Sequence, residues 1–393
     1  MRYVTADYLL PMKGAPLKEG VLVLDDDGTI MDVGSRAAFS SVDLETYKGV
    51  LLPGFINTHC HLELSHMKGV CPTGTKLIPF ISRVIQLREY EQEVIQEHIR
   101  LQDEAMWAAG IQAVGDISNK TDTAAQKELS PISYYTFVEM FDMMQPAMTD
   151  QAIASYAEVL AGQASTAGNK KSLVPHASYS VTPALFKYIN EANADTATLS
   201  IHNTETAAEN YMFRHGGGDF KKFFASLGMS LDHFRPTNTN AINYVLKHLQ
   251  PKKSNLFVHN TLTTTEDLKA AEKWSDAVYW ATCPNANLYI ENRLPNYQLF
   301  LDAKAKVTIG TDSLMSNWQL DVWEEIKTIK RYQSYVPIMD LMTWATINGA
   351  NALGYDKTMG TLEKGKRPGI VHVALDWQGE DTSLEGSTAQ RVA

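Results

Sequence analysis

Val50-Leu51-Leu52-Pro53-Gly54-Phe55-Ile56-Asn57-Thr58-His59-Cys60-His61 is the stretch on which the reading of this chain turns. Its apolar run predicts a strand over 50–58, and that strand runs out into a His-x-His pair. Residues i and i+2 of a strand share a face, so His59 and His61 point the same way and can share one metal ion. Two histidines that merely cap a strand would look identical, so the pair needs further residues to support it.

Working outward, the supporting residues stand where further apolar runs end. Leu173-Val174-Pro175 ends in His176, Leu199-Ser200-Ile201 in His202, Leu256-Phe257-Val258 in His259, and Val307-Thr308-Ile309-Gly310-Thr311 in Asp312. Any one of these alone is more often a structural histidine or a helix cap. As a set at equivalent places they read as one site. The spacing predicts strands over 50–58, 113–117, 132–137, 173–175, 198–201, 255–258, 277–281 and 306–309, with helices between them such as 76–108, 182–193, 264–274 and 319–333. Strands alternating with helices predict an α/β fold, a (β/α)8 TIM barrel, whose chemistry sits at the C-terminal strand ends. Imidazoles and a carboxylate collected there suit a divalent metal, zinc first, with iron or manganese as alternatives. Glu205, three residues after His202, reads either as a solvated loop carboxylate or as a proton shuttle beside the metal; with the cluster, the second reading is favoured. Glu209 reads as a helix N-terminal charge.

The chain ends read differently. Gly20-Val21-Leu22-Val23-Leu24 and Ile30-Met31-Asp32-Val33 flank a turn containing Asp27-Gly28, a hairpin signal, and Gly369-Ile370-Val371-His372-Val373 reads as turn and strand. These predict that the two ends pair into one discontinuous sheet, a small β-sandwich domain from 1–50 and 356–393, flanking the barrel domain over 51–355.

The 393 residues carry a net charge of −10 with no basic stripe, which argues against nucleic acid and anionic membranes as partners. Three cysteines without a C-x-x-C pair do not read as a disulfide framework, and the N-terminus lacks the apolar stretch of a signal peptide. The expectation is a soluble cytoplasmic protein acting on a small molecule. His61-Leu62-Glu63 matches half of the cytidine-deaminase zinc motif, but Cys283-Pro284-Asn285 runs in the wrong order for the other half. No glycine-rich phosphate cradle follows a strand.

Pro53-Gly54-Phe55-Ile56-Asn57-Thr58-His59-Cys60-His61 resembles the first-strand signature of the amidohydrolase superfamily. Pro175-His176-Ala177-Ser178-Tyr179-Ser180, His202-Asn203-Thr204-Glu205, Val258-His259-Asn260-Thr261, Cys283-Pro284-Asn285-Ala286-Asn287-Leu288 and Gly310-Thr311-Asp312-Ser313 resemble segments of its nucleoside deaminase and chlorohydrolase branch. The likeness is strongest to aminofutalosine and methylthioadenosine/S-adenosylhomocysteine deaminases. It implies His59, His61, His202 and Asp312 as metal ligands, and His259 with Asp312 as the groups that orient and deprotonate water. It implies Glu205 as the proton donor to a substrate ring, and His176 as a substrate contact at a ribose hydroxyl. The fourth strand ends without the lysine that bridges two metals in binuclear relatives, so one metal is implied. The expected reaction is hydrolytic deamination of a 6-aminopurine nucleoside, aminofutalosine first, then methylthioadenosine or adenosine. Phe137-Val138-Glu139-Met140-Phe141-Asp142-Met143 contains no arginine to clamp a substrate carboxylate, which weakens S-adenosylhomocysteine. The alternatives are guanine or triazine deamination, chloride displacement, and a catalytically silent ligand-binding barrel. The resemblance also allows a homodimer.

Overall fold

Gly54 divides the run that opens the parallel region. The structure, a computed structural model describing residues 1–166 and 168–393, has two strands where the sequence predicts one over 50–58. Glu45–Pro53 joins a sheet built from the chain ends, and Phe55–Cys60 begins the parallel strands. Between them the Gly54 amide donates to the carbonyls of Pro368 and Gly369, both at 3.1 Å. A Cβ on residue 54 would stand 2.6 Å from the Pro368 oxygen, so this approach of two backbones requires glycine.

Eight parallel strands follow among the described residues: β1 (Phe55–Cys60), β2 (Ile111–Ser118), β3 (Ser133–Met140), β4 (Lys170–Pro175), β5 (Thr198–Asn203), β6 (Ser254–His259), β7 (Val278–Thr282) and β8 (Val307–Ile309). β1 to β4 pair in sequence order as one four-stranded sheet, and β5 to β8 as a second. Isolated parallel bridges join Cys60 of β1 to Asp312 just past β8, and Ala177 just past β4 to His202 of β5. The strands are buried on both faces, as helix-covered parallel strands are, which is why they read as unbroken apolar runs rather than alternating ones.

The intervening helices begin where the sequence supplies caps. Thr264 and Asp267 form a capping box at the start of Thr265–Trp274, and the Asp321 side chain accepts from the Trp323 amide at the start of Val322–Tyr332. The helix predicted over 76–108 is two helices, Leu77–Leu87 and Gln92–Ala108. The break lets Arg88 turn inward to Glu63, which it meets at 3.0 Å. Below the strand ends, Lys127 and Asp116 form an ion pair of 2.6 Å with neither side chain exposed, and Asp116 also accepts from the Leu62 amide at 2.8 Å. That contact fixes the chain as it leaves His61.

The ends form one seven-stranded sheet, in the order Ala389–Arg391, Ile370–Val373, Glu45–Pro53, Arg2–Leu9, Gly20–Leu24, Ile30–Ser35, with Leu17–Lys18 on Arg2–Leu9. The sequence leads one to expect a sandwich. The pairing among the described residues is a single sheet, because Ile370–Val373 runs antiparallel along Glu45–Pro53 and extends the N-terminal meander sideways. Among the described residues no helix is long and apolar enough to cross a membrane.

Candidate metal centre

The C-terminal ends of β1, β5, β6 and β8 converge. His59, His61, His202, His259, Glu205 and Asp312 are each less than a tenth exposed. His61 Nε2 lies 3.2 Å from His59 Nε2 and 3.4 Å from His202 Nε2. Asp312 Oδ1 stands 3.3 Å from His61 Nε2 and 3.6 Å from His59 Nε2. His259 shares a tight donor group with His59 and Asp312.

Neighbouring side chains fix how these rings face. His202 Nδ1 donates to the His176 carbonyl at 2.8 Å, which turns the Nε2 lone pair into the cluster. His259 Nδ1 donates to Asn287 Oδ1 at 2.9 Å and likewise presents Nε2 inward, 3.8 Å from Glu205 Oε2. Asp312 Oδ2 accepts from Ser316 Oγ at 2.6 Å. The Asn57 side chain donates to Thr311 Oγ1 at 2.8 Å and accepts the Thr311 amide at 3.1 Å, tying the end of β1 to the end of β8. His259 and Asp312 adopt left-handed φ values of 70° and 58°, conformations that cost energy for residues with a Cβ and that cluster where function fixes a side chain.

The donor set fits a cation. Lone pairs of buried imidazoles and a carboxylate oxygen face one another, and the proton needed to separate them is already committed elsewhere on His202. Burial pushes the pKa values of His59, His61 and His259 down to about 4, so these rings are neutral at pH 7, the form that ligates. Burial also works against charge on His202, but Glu139, 3.2 Å from its Nδ1, carries it up to about 9, so a cation that takes Nε2 displaces a proton there while Nδ1 keeps its own on the His176 carbonyl. Burial disfavours the charged form of Asp312 too, yet the surrounding imidazoles hold it well below the usual carboxylate range.

Glu205 behaves in the opposite way. Burial, with the charges of Asp312, Glu209 and Glu291 adding to it against the pull of His202, raises its pKa well above the usual range and so favours the protonated acid. Its backbone amide donates to Glu209 Oε2 at 3.1 Å, and Glu209 Oε1 accepts from Ser178 Oγ at 2.7 Å. Glu209 does lie in the first turn of Ala207–His215, as its sequence position predicts, but it is buried and anchors the Glu205 loop.

A cavity opens above the cluster. His61, His202, Glu205, His259 and Asp312 line its floor, His176 one side, and the helix Leu77–Leu87 with Phe141, Met143, Phe223 and Phe224 makes apolar walls. His176 donates to or accepts from Ser180 Oγ at 2.7 Å. The structure thus brings every sequence-predicted site residue to one place. Three polar cavity residues were not singled out from the sequence. Glu139 is the penultimate residue of β3, and Asn119 follows β2; the third, Arg88, is a cavity arginine supplied from outside the 137–143 segment. Glu139 lies two residues beyond the strand predicted over 132–137, so its facing could not be read.

Comparison with known proteins agrees with this architecture. Residues 50–392 match the model of the amidohydrolase family. The chain is 26% identical over 327 residues to an adenosine deaminase of Helicobacter pylori, covering 81% of this chain and 77% of that protein. It is 27% identical over 317 residues to an aminodeoxyfutalosine deaminase of Nitratiruptor sp., covering 78% and 75%. The crystal structure of an adenosine deaminase from Xanthomonas campestris with bound zinc superposes with a TM-score of 0.73 at 20% identity, covering 94% of this chain and 83% of that one.

Proposed function

The chain belongs to the amidohydrolase family, and on that premise we propose that it is a metal-dependent deaminase of 6-aminopurine nucleosides modified at the 5′ end, with aminofutalosine the first candidate and methylthioadenosine or adenosine next. The observation that carries this reading is the ring of inward-facing donors, His59 Nε2, His61 Nε2, His202 Nε2 and Asp312 Oδ1, with the Glu205 carboxyl at the floor of the same cavity. The names of the Helicobacter and Nitratiruptor relatives favour a nucleoside, and the apolar walls suit a purine. The bridges at Cys60–Asp312 and Ala177–His202 favour a closed (β/α)8 barrel over 51–355, with the end sheet from 1–50 and 356–393 beside it. The three free, buried cysteines suit a reducing, cytoplasmic setting.

Zinc is the cation of choice, from the nitrogen-rich donor set and the zinc of the Xanthomonas neighbour. When bound it supplies Lewis acidity that brings the ionisation of water from a pKa of about 15.7 to about 7. The chain's own residues do the rest. Glu205, whose protonated form burial favours, donates to the ring nitrogen next to the amino-bearing carbon and makes that carbon electrophilic. His259, whose Nδ1 proton is fixed on Asn287, offers Nε2 to the proton that the attacking water gives up, and Asp312 orients that water. The amino group takes the proton held on His259 and leaves as ammonia, and the hydroxyl proton of the tetrahedral carbon returns to Glu205 as the carbonyl forms. His176, at the side of the cavity, takes the sugar.

A substrate panel tests the proposal: aminofutalosine, methylthioadenosine, adenosine, guanine and a chlorotriazine, each followed by ultraviolet absorbance and ammonia release. The reading predicts turnover of at least one 6-aminopurine nucleoside above the others. Turnover of guanine or the triazine with every nucleoside inert contradicts it.

A further inference from the structure

Among the described residues, one side-chain atom of the cavity lining is both buried and without a hydrogen bond: Glu139 Oε1. Glu139 is 3% exposed. Its other oxygen, Oε2, accepts from Asn119 Nδ2 at 3.1 Å. The Asn119 amide is held in turn by Glu63 Oε2, at 3.0 Å from the Asn119 backbone nitrogen, and Glu63 is held by Arg88. That chain of contacts fixes the carboxylate from behind. The nearest donor to Oε1 is His202 Nδ1 at 3.2 Å, but its proton is directed to the His176 carbonyl at 2.8 Å. A buried carboxylate oxygen left without a donor is costly, and a ligand that brings a donor removes that cost. His176 lines the cavity beside it.

We propose that Glu139 reads a sugar hydroxyl: its Oε1, beside His176 and 3.2 Å from His202 Nδ1, accepts a hydrogen bond from a ribose O–H of the bound nucleoside. The inference rests on the nucleoside reading above and names the residue that makes the enzyme select ribosides over deoxyribosides. Glu139 also borders His202, so a loss of activity on its replacement could arise through that ring alone. The ratio between substrates separates the two roles.

The test takes the best nucleoside of the panel with its 2′-deoxy and 3′-deoxy counterparts, and measures kcat/KM for each with wild-type protein and with Glu139→Gln. A hydrogen bond to a charged acceptor predicts that wild type loses about tenfold to a hundredfold on removal of one of the two hydroxyls. In Glu139→Gln that gap narrows severalfold, whatever happens to the absolute rate. Equal losses on all three substrates, with the ratio intact, would mean that Glu139 only supports His202 and would overturn the proposal. So would wild type that ignores the loss of either hydroxyl, a result that needs no variant to fold. Wild type inert on every nucleoside would instead remove the functional reading on which the proposal stands.

Discussion

Gly310→Ala is the substitution whose effect the structure defines most sharply. Gly310 precedes Thr311 and Asp312, and its φ lies outside the left-handed region, so the backbone itself tolerates a side chain. The space does not. A Cβ there would lie 2.8 Å from His59 Cβ, 2.9 Å from the His59 carbonyl oxygen and 3.0 Å from Cys283 Sγ. Against ordinary contacts of about 3.5–4.0 Å, each pair is short by roughly 0.5 Å or more. His59 is fully buried, and its carbonyl accepts the amides of both Thr311 and Asp312 at 3.0 Å. Relief therefore moves His59, or the end of β8 with Asp312, and both are proposed ligands. Overpacking of this kind costs about 1–3 kcal/mol in stability. A displacement approaching 1 Å at reacting groups costs on the order of a hundredfold in rate. The assay is metal content after gel filtration, with kcat/KM on the same sample. Gly217→Ala, with no atom within 4 Å of its added Cβ, is the control and should match wild type. Full metal content and full turnover in Gly310→Ala would refute the assignment of His59 and Asp312 to one centre.

Other perturbations separate the roles further. Glu205→Gln should fold and keep its metal while kcat falls about a hundredfold or more, the range of acid–base catalysis. Because burial raises the Glu205 pKa, the donating acid persists to higher pH than an ordinary carboxyl and is lost as pH rises through that raised value, so the kcat–pH profile should have an alkaline limb that is missing from the residual activity of Glu205→Gln. Asn287→Leu strands the buried Nδ1–H of His259, worth about 1–3 kcal/mol, and should lower kcat roughly tenfold to a hundredfold with metal content unchanged. Lys127→Met leaves Asp116 as an uncompensated buried charge and should cost about 3–5 kcal/mol, read as a lower denaturant midpoint.

The metal centre was legible because strand periodicity carries facing. Once a run ends in His-x-His, both rings share a side, and single residues ending later runs fall in equivalent places. Glu205 was legible by its distance from His202. What escaped lies where facing is not set by a simple period. Glu139 falls past the point where the run from 132 loses its apolar signal, since a strand that ends in a cavity exchanges apolar for polar residues there. Arg88 sits in a stretch whose helical pattern continues through it; only the tertiary pull of buried Glu63 reveals the break. Asn287 and Ser316 serve through hydrogen bonds to His259 and Asp312 that no local pattern encodes. Val50 to His61 reads as one strand because both of its halves are buried, and the switch of sheets at Gly54 depends on Pro368 and Gly369, distant in sequence.

The most direct test of the account is a metal titration. The purified protein is stripped by a chelator, zinc is returned in known amounts, and ammonia release from the best 6-aminopurine nucleoside is measured at each point. His59, His61, His202 and Asp312 acting as one centre predict no turnover in the stripped protein and a linear return that saturates at about one zinc per chain. Turnover by the stripped protein equal to that of the reloaded one would contradict the central claim.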